Sequence, residues 1–166
     1  MRTIHIGAAV ALALSAGGCA RSSVIPVAGD TIQITSSAAP VCGAVGAQSV
    51  AVRRASIETI NRGFDRFIIT GAGAQSNVQV IGHTPVTAHT TGGATATRFG
   101  NTAHVSGSSQ TTYSGGMPII AGTHDQALMV KMFRDGDPAG SNAVSARDTL
   151  GPQWPELVKQ STATTC

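Results

Sequence analysis

The chain has 166 residues, which is enough for one domain and too few for two comfortable ones. Charged residues make up 11% of the sequence and aromatic residues 4%, so we expect a small core and a segment that contributes nothing to it. The formal net charge is only +3 and the basic residues are scattered, so charge predicts no nucleic-acid partner and no binding to an anionic membrane surface.

The first cysteine follows a short apolar run. Residues 4–16 are mostly apolar, about 13 residues where a membrane-spanning helix needs about 20. They follow one early positive charge, Arg2, and end in small residues directly before Cys19. This pattern predicts that residues 1–18 are a lipoprotein signal peptide and not a transmembrane anchor.

The stretch from Leu14 to Cys19 resembles a bacterial lipobox, with Ala16 at the position where leucine is usual. The resemblance implies diacylation of the Cys19 thiol, cleavage before Cys19 and acylation of the new amine. The alternative is an ordinary secretory signal that is cut nearby, with Cys19 incidental. Ala20 follows the cysteine, where aspartate often signals inner-membrane retention, so the resemblance implies an outer-membrane location facing the periplasm.

Two cysteines remain once Cys19 carries lipid. Cys42 and Cys166 would sit in an oxidising compartment, which favours a disulfide between them. The bond would close a loop of about 124 residues and tie down a terminus that otherwise frays. The alternatives are two free thiols or a metal or catalytic pair, although the two cysteines lack the CxxC spacing of a metal site.

The first half of the chain predicts a tether followed by a strand and a helix. Residues 19–29 are predicted to link the lipid to a single domain at residues 30–166. Ile32 and Ile34 alternate with polar residues, which predicts a strand at residues 30–36. An apolar stripe predicts a helix over residues 44–62 that ends at Gly63, a common C-terminal signal.

Strands dominate the remainder. Residues 65–70 and 77–83 are predicted to be strands antiparallel to one another. Residues 84–116, rich in Thr, Ser and Gly, are predicted to be either a mobile loop or an exposed hairpin turning near residues 100–101. Residues 124–134 are apolar on both faces, which is typical of a central strand.

Two short helices complete the predicted order. The first covers residues 143–150, capped by Ser141 or Asn142, and the second begins near Pro155. The resulting order, β-α-β-β-hairpin-β-α, predicts an α+β fold with a small antiparallel sheet and helices packed on one face.

Two segments resemble a family of alphaproteobacterial proteins. Residues 54–69, RASIETINRGFDRFII, and residues 122–154, together with the lipobox and the TTC ending, are similar to the CC0125/CC1285-type lipoproteins. The resemblance covers about half of the mature chain. Its motifs are helix ends, turns and packing residues, so it implies a fold and a location but no activity.

Three features of the sequence suggest ligand binding, but a structural interpretation is simpler for each of them. GAGAQS at residues 71–76 nearly matches a dinucleotide loop, but Ser76 replaces the third glycine, which favours a glycine-rich β-turn. Residues 135–146 resemble a calcium loop but carry Ala146 where a bidentate acid is required, which favours a plain turn. Arg54 lies beside the apolar face of the helix and is expected to pair with a carboxylate such as Asp65 or, alternatively, to anchor a ligand.

Four histidines flank or occupy the polar segment: His83, His89, His104 and His124. A hairpin could bring imidazoles together around zinc or copper, but the spacings are long and irregular, so exposed loop histidines are the simpler interpretation. No catalytic motif is present in the sequence. We therefore expect no cofactor and no enzymatic activity.

The sequence thus predicts an envelope lipoprotein held to the membrane by its lipid, with a structural or interaction role and an envelope protein as its partner. The alternative function is binding of a small ligand or metal by the histidine-flanked segment at residues 83–124.

Overall fold

The computed structural model describes residues 19–160 and Cys166, so the predicted signal peptide at residues 1–18 lies outside the described residues. The described chain is a mixed α+β fold with antiparallel strands and a helix packed on the sheet, which confirms the predicted class. The strands are β1 Ala20–Pro26, β2 Thr31–Ala38, β3 Arg66–Ser76, β4 Gln79–His83, β5 Thr87–Phe99, β6 Thr102–Ser114, β7 Pro118–Ala121, β8 His124–Phe133 and β9 Val144–Ser145. The helices are α1 Gly43–Asn61, α2 Ala146–Leu150 and α3 Trp154–Gln160, with single 3₁₀ turns at Pro40–Cys42 and Pro138–Gly140.

The main sheet has five antiparallel strands in the order β1-β2-β8-β3-β9. The apolar strand predicted to be central is β8, which lies between β2 and β3, so that prediction is confirmed. Every second residue of β2 from Ile32 to Ala38 is buried, because strand side chains alternate between the two faces and one face of β2 lies under α1.

Helix α1 crosses one face of the sheet and closes the core. Its alanines Ala51 and Ala55 are fully buried and let the helix backbone approach the strands. Gly63, which follows the C-cap residue Arg62, adopts a positive φ of 78°, as its C-terminal signal predicted. The main cluster comprises Ile32, Ile34, Ala51, Ala55, Phe67, Leu128, Val130, Met132 and Ala146.

A long two-stranded ribbon extends from the main sheet and comprises the β4–β7 pair and the β5–β6 pair. Strands β3 and β8 pair along their whole length, and the chain then continues into the β4–β7 pair and the β5–β6 pair. Residues 84–116 therefore form the hairpin of the two predicted alternatives, and it turns at residues 100–101 as expected.

Two predictions about this ribbon are wrong. Residues 71–76 are not a turn but the second half of β3, because β8 continues alongside and supplies backbone partners as far as Ser76. Strand β4, within predicted residues 77–83, does not pair with β3. It continues the ribbon and pairs with β7, a strand that the sequence analysis did not predict.

Residues 19–29, predicted as a tether, contribute strand β1 instead. Every residue of β1 pairs with β2, and Ala20 is buried. The segment contains only small and β-branched residues besides Arg21 and Pro26, which a strand accommodates as readily as a tether.

The helix predicted at residues 143–150 is shorter than expected. It begins at Ala146, because Val144 and Ser145 pair with β3, and its cap is Ser145, whose side chain accepts a hydrogen bond from the backbone N–H of Asp148. Helix α3 begins at Trp154 and has Pro155 in its first turn, as predicted.

Shortening the central core side chain Ile34 to alanine tests this packing. We expect Ile34→Ala to lower the free energy of unfolding by about 2–5 kcal/mol, because Ile34 is fully buried between sheet and helix. Ile25→Ala on β1 is the matched control, with a side chain 54% exposed and an expected change within about 0.5 kcal/mol. Equal losses in urea titrations of the two variants would contradict the described core.

Candidate functional site

All three cysteines meet at one end of the main sheet. Cys42 and Cys166 form a disulfide with 5.8 Å between their Cα atoms, which confirms the predicted bond. Cys19 is free and exposed. Its carbonyl oxygen accepts a hydrogen bond of 2.9 Å from the Ala39 backbone N–H and lies 3.9 Å from the Cys42 sulfur. The predicted lipidation site, the disulfide and the start of α1 are therefore neighbours.

A second buried cluster holds this end together. It consists of Ala20, Ala38, Ala47 and Val50, with Cys42 packed against it. Ser36 adds a buried hydrogen bond of 2.7 Å from its hydroxyl to the Ala47 carbonyl. Because Ala20 belongs to this cluster, the residue that follows Cys19 is packed into the folded domain.

The glycine at position 46 lets helix α1 lie close against the Cys42–Cys166 disulfide. A Cβ atom at this position would lie 2.8 Å from the Cys42 Cβ and 3.0 Å from the Cys166 Cβ. Both distances are shorter than ordinary van der Waals contact, and the disulfide leaves its two Cβ atoms little freedom to move. Helix propensity alone would favour alanine over glycine by about 0.5–1 kcal/mol, so the contact with the disulfide opposes the propensity.

The ribbon leaves the sheet at this same end. The strand register aligns Ala20, Ala38, His124 and Ser76 in one row across β1, β2, β8 and β3. Ala20 is the first residue of β1, and Ser76 is the last residue of β3 before the ribbon continues into β4. The base of the ribbon and Cys19 thus lie at one rim of the domain.

The four histidines are spread along the ribbon and are not brought together. His83 ends β4, and His124 begins β8, where its Nδ1 is buried with no hydrogen-bond partner among the described residues. His89 and His104 share one face of the β5–β6 hairpin, but His104 pairs opposite Thr97, eight positions along β5 from His89. At about 3.3 Å per residue, that is a separation of about 26 Å. Within residues 19–160 and Cys166, no group of three His, Cys, Asp or Glu side chains is arranged to hold a metal ion.

The face of the sheet opposite α1 carries an open groove of 640 Å³. One row across its floor contains Arg21, Ser37, Asp125 and Gln75, and the Ser37 hydroxyl donates a hydrogen bond to the Asp125 carboxylate. The adjacent row contains Ser23, Thr35, Ala127 and Gly73, in which the Ser23 and Thr35 hydroxyls are 2.5 Å apart.

This groove presents hydroxyl, carboxylate and guanidinium groups together with apolar surface over a floor of small residues, and clefts with a few convergent polar groups are candidate ligand sites. The sequence analysis missed it because its residues come from four strands. The alternation of polar residues with Ile32 and Ile34 in residues 30–36 signalled one strand of this face, whereas residues 20–26 show no alternation and were interpreted as a tether.

The Arg54 side chain forms the expected ion pair, but with Glu58 and not with Asp65. The Arg54–Glu58 distance is 2.9 Å, and both side chains are about 85% buried, being 15% and 14% exposed. Arg62 lies on the other side of Glu58 at 3.4 Å. Asp65 pairs with Arg147 at 3.0 Å and accepts a hydrogen bond from the Asp135 backbone N–H. Asp65, which directly precedes β3, thereby links the start of that strand to the turn after β8 and to α2.

The segment resembling a calcium loop is a turn, as predicted. Asp135 pairs with Arg66 at 2.7 Å, and Asp137 caps the 3₁₀ turn by accepting a hydrogen bond from the Ala139 N–H. Both carboxylates thus serve the local structure.

No family model, curated protein or solved structure matches this chain. No helix in the described part of the chain has the length and hydropathy needed to cross a membrane.

Adding one methyl group at Gly46 tests the packing around the disulfide. We expect Gly46→Ala to lower the free energy of unfolding by about 1–3 kcal/mol and to increase the fraction of chains with free thiols at positions 42 and 166. Thiol titration under denaturing conditions and thermal unfolding measure the two effects. Gly29→Ala is the control, since a Cβ there meets nothing within 4 Å. A Gly46→Ala protein as stable and as fully oxidised as wild type would contradict the described contact.

Removing the carboxylate that holds Arg54 tests the ion pair. We expect Glu58→Ala to destabilise the protein by about 3 kcal/mol, because it leaves a largely buried guanidinium without its partner. Arg54→Met removes the charge itself and should cost less. The comparison is made by chemical denaturation, and a larger loss for Arg54→Met than for Glu58→Ala would contradict the view that an unpaired buried guanidinium is the main cost.

Proposed function

We propose that this chain is a lipid-anchored lipoprotein of the cell envelope, held through Cys19 on the periplasmic side of the outer membrane, and that it serves as a structural or interaction module without catalytic activity.

The observation that carries the proposal is the position of Cys19. Its side chain is free and exposed, and the next residue, Ala20, is buried in the folded domain. Acyl chains on Cys19 would therefore bring the cysteine end of the sheet directly against the bilayer, with no flexible spacer. One acyl chain alone binds membranes marginally, at about 0.8 kcal/mol per buried methylene, whereas two or three hold a domain stably.

The disulfide supports an oxidising location. Structural disulfides form and persist in the periplasm and outside the cell, and they are rare in the reducing cytosol. The Cys42–Cys166 bond also leaves Cys19 as the unpaired thiol at this end of the sheet, which is the state in which it could accept a diacylglyceryl group.

An interaction role is supported by the surfaces that the fold exposes. All residues of the β5–β6 hairpin are exposed, and the face of the sheet opposite α1 carries the open polar groove. These are surfaces suited to contact with another molecule, and they lie on a domain whose base would be fixed at the membrane.

The proposal predicts that Cys19→Ser abolishes lipid attachment and moves the protein from the membrane to the aqueous fraction. Wild-type protein should begin at residue 19 and carry fatty acids in intact-mass measurements. The Cys42→Ser/Cys166→Ser double variant is the matched control, because it loses the disulfide but keeps Cys19, and its acylated fraction should match wild type. Wild-type protein with an unmodified Cys19 in the aqueous fraction would refute the anchor.

A further inference from the structure

We propose that the β5–β6 hairpin, residues 87–114, is an assembly arm that pairs edge to edge with the same arm of a second copy of this chain. The orientation of the copies rests on the proposed lipid anchor, whereas the pairing chemistry is a property of the arm itself.

The arm has no support from the rest of the described chain. Its strands form 13 consecutive pairs, and all 26 strand residues are exposed. An isolated two-stranded hairpin is marginally stable in water, and further strands or a packed face are needed to stabilise it. A neighbouring strand on either side would supply what the arm lacks.

Both long edges of the arm are open. Phe99 and Thr102 flank the two-residue turn and form a hydrogen-bonded pair, and antiparallel pairs alternate from there. The backbone N–H and C=O groups of alternate residues, among them Ala96 on β5 and Ser109 on β6, consequently point away from the hairpin. Unpaired groups of this kind are a template for another strand.

The usual protection of sheet edges is missing from the arm and present in the main sheet. Edge strand β1 ends in Pro26 and edge strand β9 has only two residues. By contrast, residues 87–114 contain no proline, no lysine and no bulge that would interrupt pairing. The fold therefore limits pairing at the sheet edges and leaves it open along the arm.

The composition of the arm favours an identical partner. Residues 87–114 contain neither aspartate nor glutamate, and Arg98 near the tip is the single arginine. Identical arms meet little electrostatic repulsion, and a strongly charged partner would find no complement. The threonines also form cross-strand hydroxyl pairs, such as Thr90 with Thr111 at 2.8 Å, a pattern that further copies can extend.

The two faces of the arm match between copies aligned in the same direction. One face carries small and apolar residues together with Thr90, Thr111, Ser109 and Arg98. The other face is polar apart from Phe99 beside the turn and Gly93, and it carries both His89 and His104. The apolar and small members of the first face are Ala88, Gly92, Ala94, Ala96, Ala103, Val105, Gly107 and Tyr113.

A common anchor would supply that alignment. In every copy the ribbon starts at the rim that carries Cys19, so anchored copies would present their arms in one orientation. Strand β6 of one copy then lies antiparallel to β5 of the next, which is a head-to-tail interface. Confinement to a membrane raises the effective concentration of arms and favours this pairing.

Single prolines on the two edges test the inference in full-length acylated protein. Ala96→Pro and Ser109→Pro each remove an outward N–H while leaving the internal hydrogen bonds of the hairpin in place. Head-to-tail pairing uses both edges at each interface, so either proline alone should convert multi-copy assemblies into single chains. The readout is native mass spectrometry of protein extracted in mild detergent.

Ala96→Thr is the matched control, because it keeps the N–H and should assemble as wild type does. The domain of each proline variant should unfold at the wild-type temperature, since no described residue outside the ribbon packs on the arm. Assembly unaffected by either proline, or wild-type protein that stays a single chain at every concentration, would refute the inference. The inference would also be refuted if the arm of single chains became protected from protease only after protein-free phospholipid vesicles were added, because the arm would then bind lipid.

The Cys19→Ser variant separates the two proposals. Assembly of this variant at raised concentration, abolished by Ala96→Pro, would support the arm even if wild-type protein proved to carry no lipid. Acylated protein that remains a single chain would refute the arm and leave the anchor intact.

Discussion

The fold depends on the close contact between α1 and the central strands of the sheet. Alanines on the helix meet isoleucine, leucine and valine on β2 and β8, and both sides of this contact are fully buried. Aromatic residues are few, so alanines let the helix backbone approach the sheet and mainly aliphatic side chains of the central strands fill the core. The contact also sets the position of the helix start, to which Cys42, Gly46 and the C-terminal Cys166 are fixed.

The same contact explains why the disulfide, Ala20 and the start of the ribbon lie at one end of the domain. The helix start holds the disulfide, the second cluster holds Ala20, and the strand register carries this row across to Ser76, where the ribbon begins. A lipid on Cys19, as proposed, would thus lie near the base of the ribbon.

The elements that the sequence predicted well are those in which local pattern and tertiary role agree. Each of them was predicted from an apolar period or a turn residue that the structure retains. They are the alternating strand β2, the helix with Gly63 after its end, the strand β8 with two apolar faces and the turn at residues 100–101. The predictions failed where pairing decided the conformation. Residues 20–26 and 71–76 are small and weakly patterned, and they become strands because β2 and β8 provide backbone partners along their length.

The sequence by itself predicted the α+β class, favoured a disulfide between the two later cysteines and left a hairpin as one of two alternatives for residues 84–116, because apolar periodicity, cysteine number and composition are local or additive properties. Only the tertiary structure decided that the histidines stay far apart and that four strands build the groove, whereas the Arg54–Glu58 pair follows from its i,i+4 spacing within the helix. Those outcomes depend on strand order and register. Register is set by the burial of one whole face against the helix, and no short stretch of the chain specifies it alone.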